Sequence, residues 1–390
     1  MNIVIIGGGI AGTTAAGELR LLDKKANITI IDSEEHPVYS RVLLLPYVLK
    51  DVHREKLFLK KMSWYDAQSI ELMSTTSVIG IDSVNKHVAT SDGRELPYDK
   101  LLITTGLDVR LLAQDKRGVC YFKTLADADN LLTLIHERIA EKNKKAVVYG
   151  GGFISMDLLS IFKKYDFETT VVLRSGGLFS KVISPGAQKL LEMHARKNGV
   201  DFLFNAPEIM LLGENELLGV RVGEREIPAG VLAVGIGLAP SLSLFADSGI
   251  SVEQGVVCDE FLQTNIPGIF AAGDIAQYND LVLQKKMRYG NWTNAIMQGR
   301  AVAPNMLGNK KPFLLVSSYS TSLFGKELVF VGDVDRAAAD EVRQELLDDE
   351  NSTEVFVRDG KIVGAVLIGK VKHRQEIVNV IWSKPLTSNL

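Results

Sequence analysis

Cysteine is scarce in this 390-residue sequence: Cys120 and Cys258 are the only two, far apart and in no CxxC or Cys/His cluster. That argues against a disulfide framework and against a structural zinc, and it reads both thiols as small buried hydrophobes. No apolar run approaches the roughly 18 residues of a membrane span. No positively charged leader precedes MNIVIIGGG, and no lysine/arginine run exceeds two or three residues. With a formal net charge of -3 there is no basic bias either, so nucleic acid is not an expected partner and a cytoplasmic chain without a membrane span is. Low-complexity segments are missing too. What remains is an ordinary globular composition, 46% hydrophobic and 23% charged, long enough for two or three domains and for enclosing a large ligand.

Against these absences stand two glycine-rich turns. The segment NIVIIGGGIAGTTAAGELRLLDKKANITIID reads as a strand, a turn with Gly7, Gly9 and Gly12, an alanine-rich helix and a second strand ending at Asp32. Such a turn brings backbone amides and a helix N-terminus to a pyrophosphate, and an acid about 20 positions later accepts ribose hydroxyls. The segment KAVVYGGGFISMDLLSIFKKYDFETTVVLRSGG repeats the design, with Gly150 and Gly152 where Gly7 and Gly9 fell. It is a degraded copy: Ser155 stands in place of the third glycine, and Arg174 and Ser175 stand where the acid belongs. Three further strand ends carry glycine: LLITTG with Thr104, Thr105 and Gly106; VLAVGIGLAP with Gly235, Gly237 and Pro240; and IFAAGD with Gly273 and Asp274.

Their order along the chain resembles the two-dinucleotide flavoprotein family, the pyridine nucleotide dependent FAD oxidoreductases. The match covers about residues 1–310, and YSRVLL with NWTNAIMQGRAVAPNMLG make it most similar to rubredoxin and ferredoxin reductases and to the flavin module of nitrite reductase large subunits. The resemblance implies an α/β fold with two Rossmann-like domains, one for FAD and one for NAD(P), plus a small C-terminal α+β domain that covers the flavin's outer side. It places the FAD domain, discontinuous, at 1–112 and 236–311, the NAD(P) domain at 113–235 and the cover or docking domain at 312–390. In the last of these AAADEVRQELLDDE reads as an acidic helix, Asp359-Gly360 as a hairpin turn, and the end as a closing helix.

The same resemblance implies FAD on Gly7, Gly9, Gly12 and Asp32, with Asp274 beside Gly273 at the ribityl chain and Thr105 and Gly106 at the neighbouring strand end. Arg41 goes to the pyrophosphate or flavin edge. Trp292 opens a helix whose free N–H groups face the flavin edge that gains negative charge on reduction. NADPH or NADH is expected on Gly150, Gly152, Ser155 and Gly235, and Arg174 tilts the choice toward NADPH because an arginine pairs with a 2′-phosphate that an acid would repel. Asp157, shorter than the glutamate relatives carry, and Lys50, near Pro46 where relatives carry lysine, are the catalytic candidates. In YSRVLLLPY, the position three before Pro46-Tyr47 holds a redox cysteine in branches that handle disulfide coenzymes or peroxide; here it is Leu43. Without a thiolate, electrons leave directly from the flavin to a small iron–sulfur carrier protein, a quinone or another small acceptor. The basic cluster Lys370, Lys372, His373 and Arg374 is a candidate docking patch for such a carrier, and self-association is left open. The alternative is a flavin-binding docking or sensing module whose damaged second turn no longer takes nicotinamide.

Overall fold

The computed structural model describes residues 1–383. Its first sheet has five parallel strands in the spatial order Ile269–Ala271, Lys100–Ile103, Asn2–Ile6, Asn27–Ile31 and Ile70–Met73. The second, also parallel, runs Val119–Cys120, Val231–Val234, Lys145–Tyr149, Glu168–Val172 and Val200–Leu203. The two orders superimpose strand for strand, so Thr104, after Lys100–Ile103, and Gly235, after Val231–Val234, hold equivalent places. Parallel strands are covered on both faces, which is why NIVII, KLLI and VLAV are near-continuous apolar runs and are buried almost throughout.

The chain passes between these units twice, and the crossings pair with each other: Asp108–Val109 lies antiparallel to Leu238–Ala239. A third sheet, wholly antiparallel, has the order Ser318–Leu323, Lys326–Gly332, Lys361–Ile368, Ser352–Arg358 and Glu341–Leu347. Asp359 and Gly360 turn its last hairpin, both at positive φ, 49° and 68°. The helix Arg374–Trp382 closes this unit by seating Ile381 in its core. The segment expected as an acidic helix is instead the edge strand Glu341–Leu347. Val342 and Leu346 lie four apart, a spacing that suits one helix face; pairing with Ser352–Arg358, interrupted by a register shift between Gln344 and Leu346, makes the segment a strand, and the charged residues blunt an exposed edge.

Candidate functional site

Each glycine turn is shaped by a contact that only glycine permits. A Cβ on Gly7, at φ +105°, would lie 2.5 Å from the Thr104 carbonyl oxygen; one on Gly150, at φ +125°, would lie 2.2 Å from that of Gly235. Gly12 packs the helix Ile10–Leu22 onto the turn so closely that its Cβ would fall 2.1 Å from the Gly7 oxygen. Its counterpart Ser155 is fully buried, and its hydroxyl finds no hydrogen-bond partner among the described residues. Gly9 and Gly152 differ from these: nothing lies within 4 Å of a Cβ on either. Their side-chain directions open into two clefts.

The first cleft, about 740 Å³, is walled by Gly7, Gly9, Asp32, Arg41, Thr105, Gly106, Gly273, Asp274 and Trp292. These residues come from the ends of four neighbouring strands, the Arg41 turn and the helix Trp292–Met306. Burial pushes the Asp32 carboxyl up to about 6, against the backbone N–H of Glu34 that it accepts at 3.2 Å. Asp274 is raised to about 6 by burial as well, against the pull of Arg288, Arg41 and Lys123, and its carboxylate accepts no hydrogen bond among the described residues. Two half-buried carboxyls short of donors, glycines with open space toward the cleft, and the first turn of a helix fit the hydroxyls and pyrophosphate of FAD.

Arg41 is held by an ion pair with Glu34 and donates to the Lys123 carbonyl at 2.9 Å. Lys123 itself lines the same cleft, and burial and the nearby Arg41 lower its pKa. The sequence did not expose Lys123, because it enters from the other unit, 82 residues beyond Arg41. The only local signal there is the capping box of Thr124 and Asp127, which starts the helix Leu125–Ala140 and fixes the chain next to Lys123.

The second cleft, about 1170 Å³, is lined by Gly150, Gly152, Arg174, Ser175, Lys181 and Gly235, among others. Its charged lining residues are Arg174, Lys181, Arg288 and Arg374, with no carboxylate, whereas the first cleft mixes Asp32, Glu34, Asp108 and Asp274 with Arg41 and Lys123. Arg174 makes no ion pair among the described residues, and its strand end is the place that a ribose-binding acid would take. Ser318, Tyr319, Ser320 and Arg374 bring the third unit into this wall. Tyr319 stacks on Phe330 with ring centroids 5.4 Å apart, and both rings meet Phe153 beside Gly152. Arg374 donates to Ser318 Oγ at 2.8 Å, so it belongs to the cleft as well as to the basic cluster on the surface.

Val42, Leu107, Leu238, Gly290, Asn291 and Trp292 line both clefts and mark where they meet. Val42 is 59% exposed there, an apolar side chain open to both clefts. Leu43, the position of the missing thiol, lines neither cleft. Neither do Asp157 and Lys50. Burial pushes Asp157 up to about 7, and Lys50 Nζ sits 5.7 Å over the Tyr165 ring instead of pairing with it. Both cysteines are buried, and burial raises both thiols, Cys120 to about 12.

Residues 1–299 match the family described as pyridine nucleotide-disulphide oxidoreductase, and residues 321–385 match the rubredoxin NAD+ reductase C-terminal domain. The chain is 30% identical to a rubredoxin-NAD(+) reductase of Pseudomonas putida over 338 residues, covering 85% of this chain and 86% of that one. It is 28% identical to a nitrite reductase [NAD(P)H] of Bacillus subtilis over 389 residues, 97% of this chain but 47% of the relative. An assimilatory nitrate reductase electron transfer subunit of the same organism is covered to 49%, so the chain spans about half the length of these two relatives. Among solved structures, that of the covalent putidaredoxin reductase–putidaredoxin complex superimposes with a TM-score of 0.88 at 25% identity, covering 97% of this chain and 92% of that one. Sequence match, doubled parallel sheets and paired glycine turns together place the chain in the pyridine nucleotide-disulphide oxidoreductase family.

Proposed function

We propose that the protein is an FAD-dependent NAD(P)H oxidoreductase that passes electrons, without a redox disulfide, to a small iron–sulfur carrier protein or a small-molecule acceptor. The observation that carries this reading is the shared wall of the two clefts, six residues common to a site shaped for FAD and a site shaped for a second dinucleotide. Bound FAD would supply the chemistry of accepting a hydride from the nicotinamide and passing electrons on to the acceptor. Asp32 and Asp274 hold hydroxyls, Arg41 and Lys123 face the pyrophosphate, and Gly9 and Gly106 leave room for it. The free N–H groups at the start of Trp292–Met306 supply positive potential to the flavin edge, with the N-cap Asn291 accepting from Asn294 N at 3.0 Å to fix that helix end.

In the second cleft, Gly150 and Gly152 admit the nicotinamide dinucleotide, and Arg174, Ser175 and Lys181 favour a 2′-phosphate. The excess of cations over carboxylates in its lining supports this. The reading needs neither Asp157 nor Lys50 in contact with the nucleotide. Direct exit of electrons is supported by two inert thiols and by apolar Val42 at the meeting point of the clefts. The names of the relatives, rubredoxin-NAD(+) reductase among them, support a small carrier as acceptor. The test is steady-state turnover with NADPH or NADH on ferricyanide, a quinone, a rubredoxin or ferredoxin, and a panel of disulfides. Reduction of the first groups and not of disulfides is expected. Turnover restricted to a disulfide would overturn the reading.

A further inference from the structure

The short helical run that presents Val42 to both clefts is anchored to the other unit. Arg41–Leu43 forms one 3-10 turn and Leu44–Val48 continues it as a helix whose first turn contains Pro46. Proline is tolerated there and stiffens the run. Five residues beyond Val42, the Tyr47 hydroxyl donates to Asp129 Oδ1 at 2.6 Å, across to the helix Leu125–Ala140. Arg54 holds the other carboxylate oxygen of Asp129 at 3.1 Å and lies 3.3 Å from His36 Nε2. One residue past Tyr47, the Val48 carbonyl accepts from the Tyr165 hydroxyl at 2.8 Å, at the end of the helix Phe153–Lys164. The Phe153–Lys164 helix begins at Gly152, so one rigid rod links the dinucleotide turn of the second cleft to the segment that carries Val42.

We propose that Tyr47 and Asp129 are positioning residues. They hold the Val42 run in register with the nucleotide-binding unit and thereby set where the nicotinamide ring can lie against the flavin. This rests on the functional reading above and adds to it a means of alignment between the two clefts. Alignment matters because a displacement of about 1 Å between reacting groups can cost on the order of 100-fold in rate. The bonds of Tyr47 and Arg54 to Asp129 and of Tyr165 to the Val48 carbonyl form a clasp between the two units, and none of their residues belongs to a dinucleotide turn or a parallel strand.

The test uses the FAD-loaded full chain with Tyr47→Phe, with Asp129→Asn as a second variant, and each combined with Val42→Ala. In the two variants that keep Val42, FAD content is expected to match wild type and the melting temperature to fall by no more than about a few degrees. The visible circular dichroism of the bound flavin, which senses asymmetric contacts on the ring, is expected to change. The rate constant of flavin reduction at saturating NADPH is expected to fall about tenfold while KM moves by no more than about twofold. In the Val42→Ala background, Tyr47→Phe is expected to add nothing, because it acts through Val42. Wild-type dichroism and rate in Tyr47→Phe, or the full effect persisting without Val42, would overturn the proposal. If wild type is reduced by neither nucleotide, the functional reading fails, yet the dichroism of the single and double variants still decides the clasp.

Discussion

Gly9 and Gly12 lie three residues apart in one turn and should fail in opposite ways. Gly9 has φ -64° and ψ -172°, extended backbone open to any residue, and a Cβ there meets nothing within 4 Å. In Gly9→Val the protein without cofactor should therefore melt at or slightly above wild type, since replacing glycine at a compatible site gains about 0.4–1 kcal/mol. The valine nonetheless fills the open space at Gly9 through which, on the proposed reading, the pyrophosphate would reach the helix N-terminus. Losing two charge-assisted bonds of about 1.5–3 kcal/mol each weakens FAD binding by roughly 100-fold to more than 10,000-fold. Gly12→Ala should do the reverse first: its Cβ would sit 2.1 Å from the Gly7 oxygen and 2.6 Å from Thr104 Oγ1. Overpacking of that kind costs about 1–3 kcal/mol of stability before any ligand is considered. The assay is thermal unfolding of both variants without FAD, followed by FAD titration read by quenching of flavin fluorescence. Stoichiometric FAD in Gly9→Val would show that the open space at Gly9 does not serve the cofactor, and a less stable Gly9→Val than Gly12→Ala would show that the space is not open.

Wild type should favour NADPH over NADH by about one charge-assisted bond, roughly 1.5–3 kcal/mol, and Arg174→Glu should reverse the ratio of kcat/KM values; an unchanged ratio would show that the strand end does not face the ribose. FAD affinity should be pH dependent. If, as proposed, Asp32 takes the ribose hydroxyls in its ionised form, binding pulls its pKa down from about 6; affinity is then full above that pH and falls by up to about tenfold per unit below it, and a flat titration from pH 5 to 8 would contradict this. The double variant Cys120→Ser, Cys258→Ser should keep its turnover, because burial holds both thiols protonated; loss of turnover on any acceptor with folding intact would revive a thiol mechanism.

Much of this could be read in the sequence, for a physical reason. Gly7, Gly150, Asp32 and the apolar strands answer to short-range rules of backbone conformation and burial, and those rules leave marks at fixed spacing. The strand Glu341–Leu347 was hidden because Val342 and Leu346 stand at helical spacing and a register shift between Gln344 and Leu346 interrupts its alternation, so that only its pairing partner settles the choice. Val42 was hidden by its neighbour. The run from Arg41 to Leu45 is apolar nearly throughout, and only the direction of one helical turn selects Val42, not Leu43, for the clefts. Lys123, Tyr319 and Arg374 reach the clefts from other units, and no local pattern encodes a contact across 82 residues or more. Asp157 followed a familiar spacing, yet its helix face leaves it out of both cleft walls.

If the proposed function holds, the two clefts form one route for electrons, meeting at Val42, Leu107, Leu238 and Gly290–Trp292. Anaerobic mixing of the FAD-loaded protein with NADPH, and separately with NADH, tests it most directly by following the flavin absorption band. Bleaching within seconds, faster with NADPH, is expected, with no long-wavelength band from a thiolate in contact with the flavin. A protein that holds FAD stoichiometrically and keeps its full absorption at saturating concentrations of both nucleotides would contradict it.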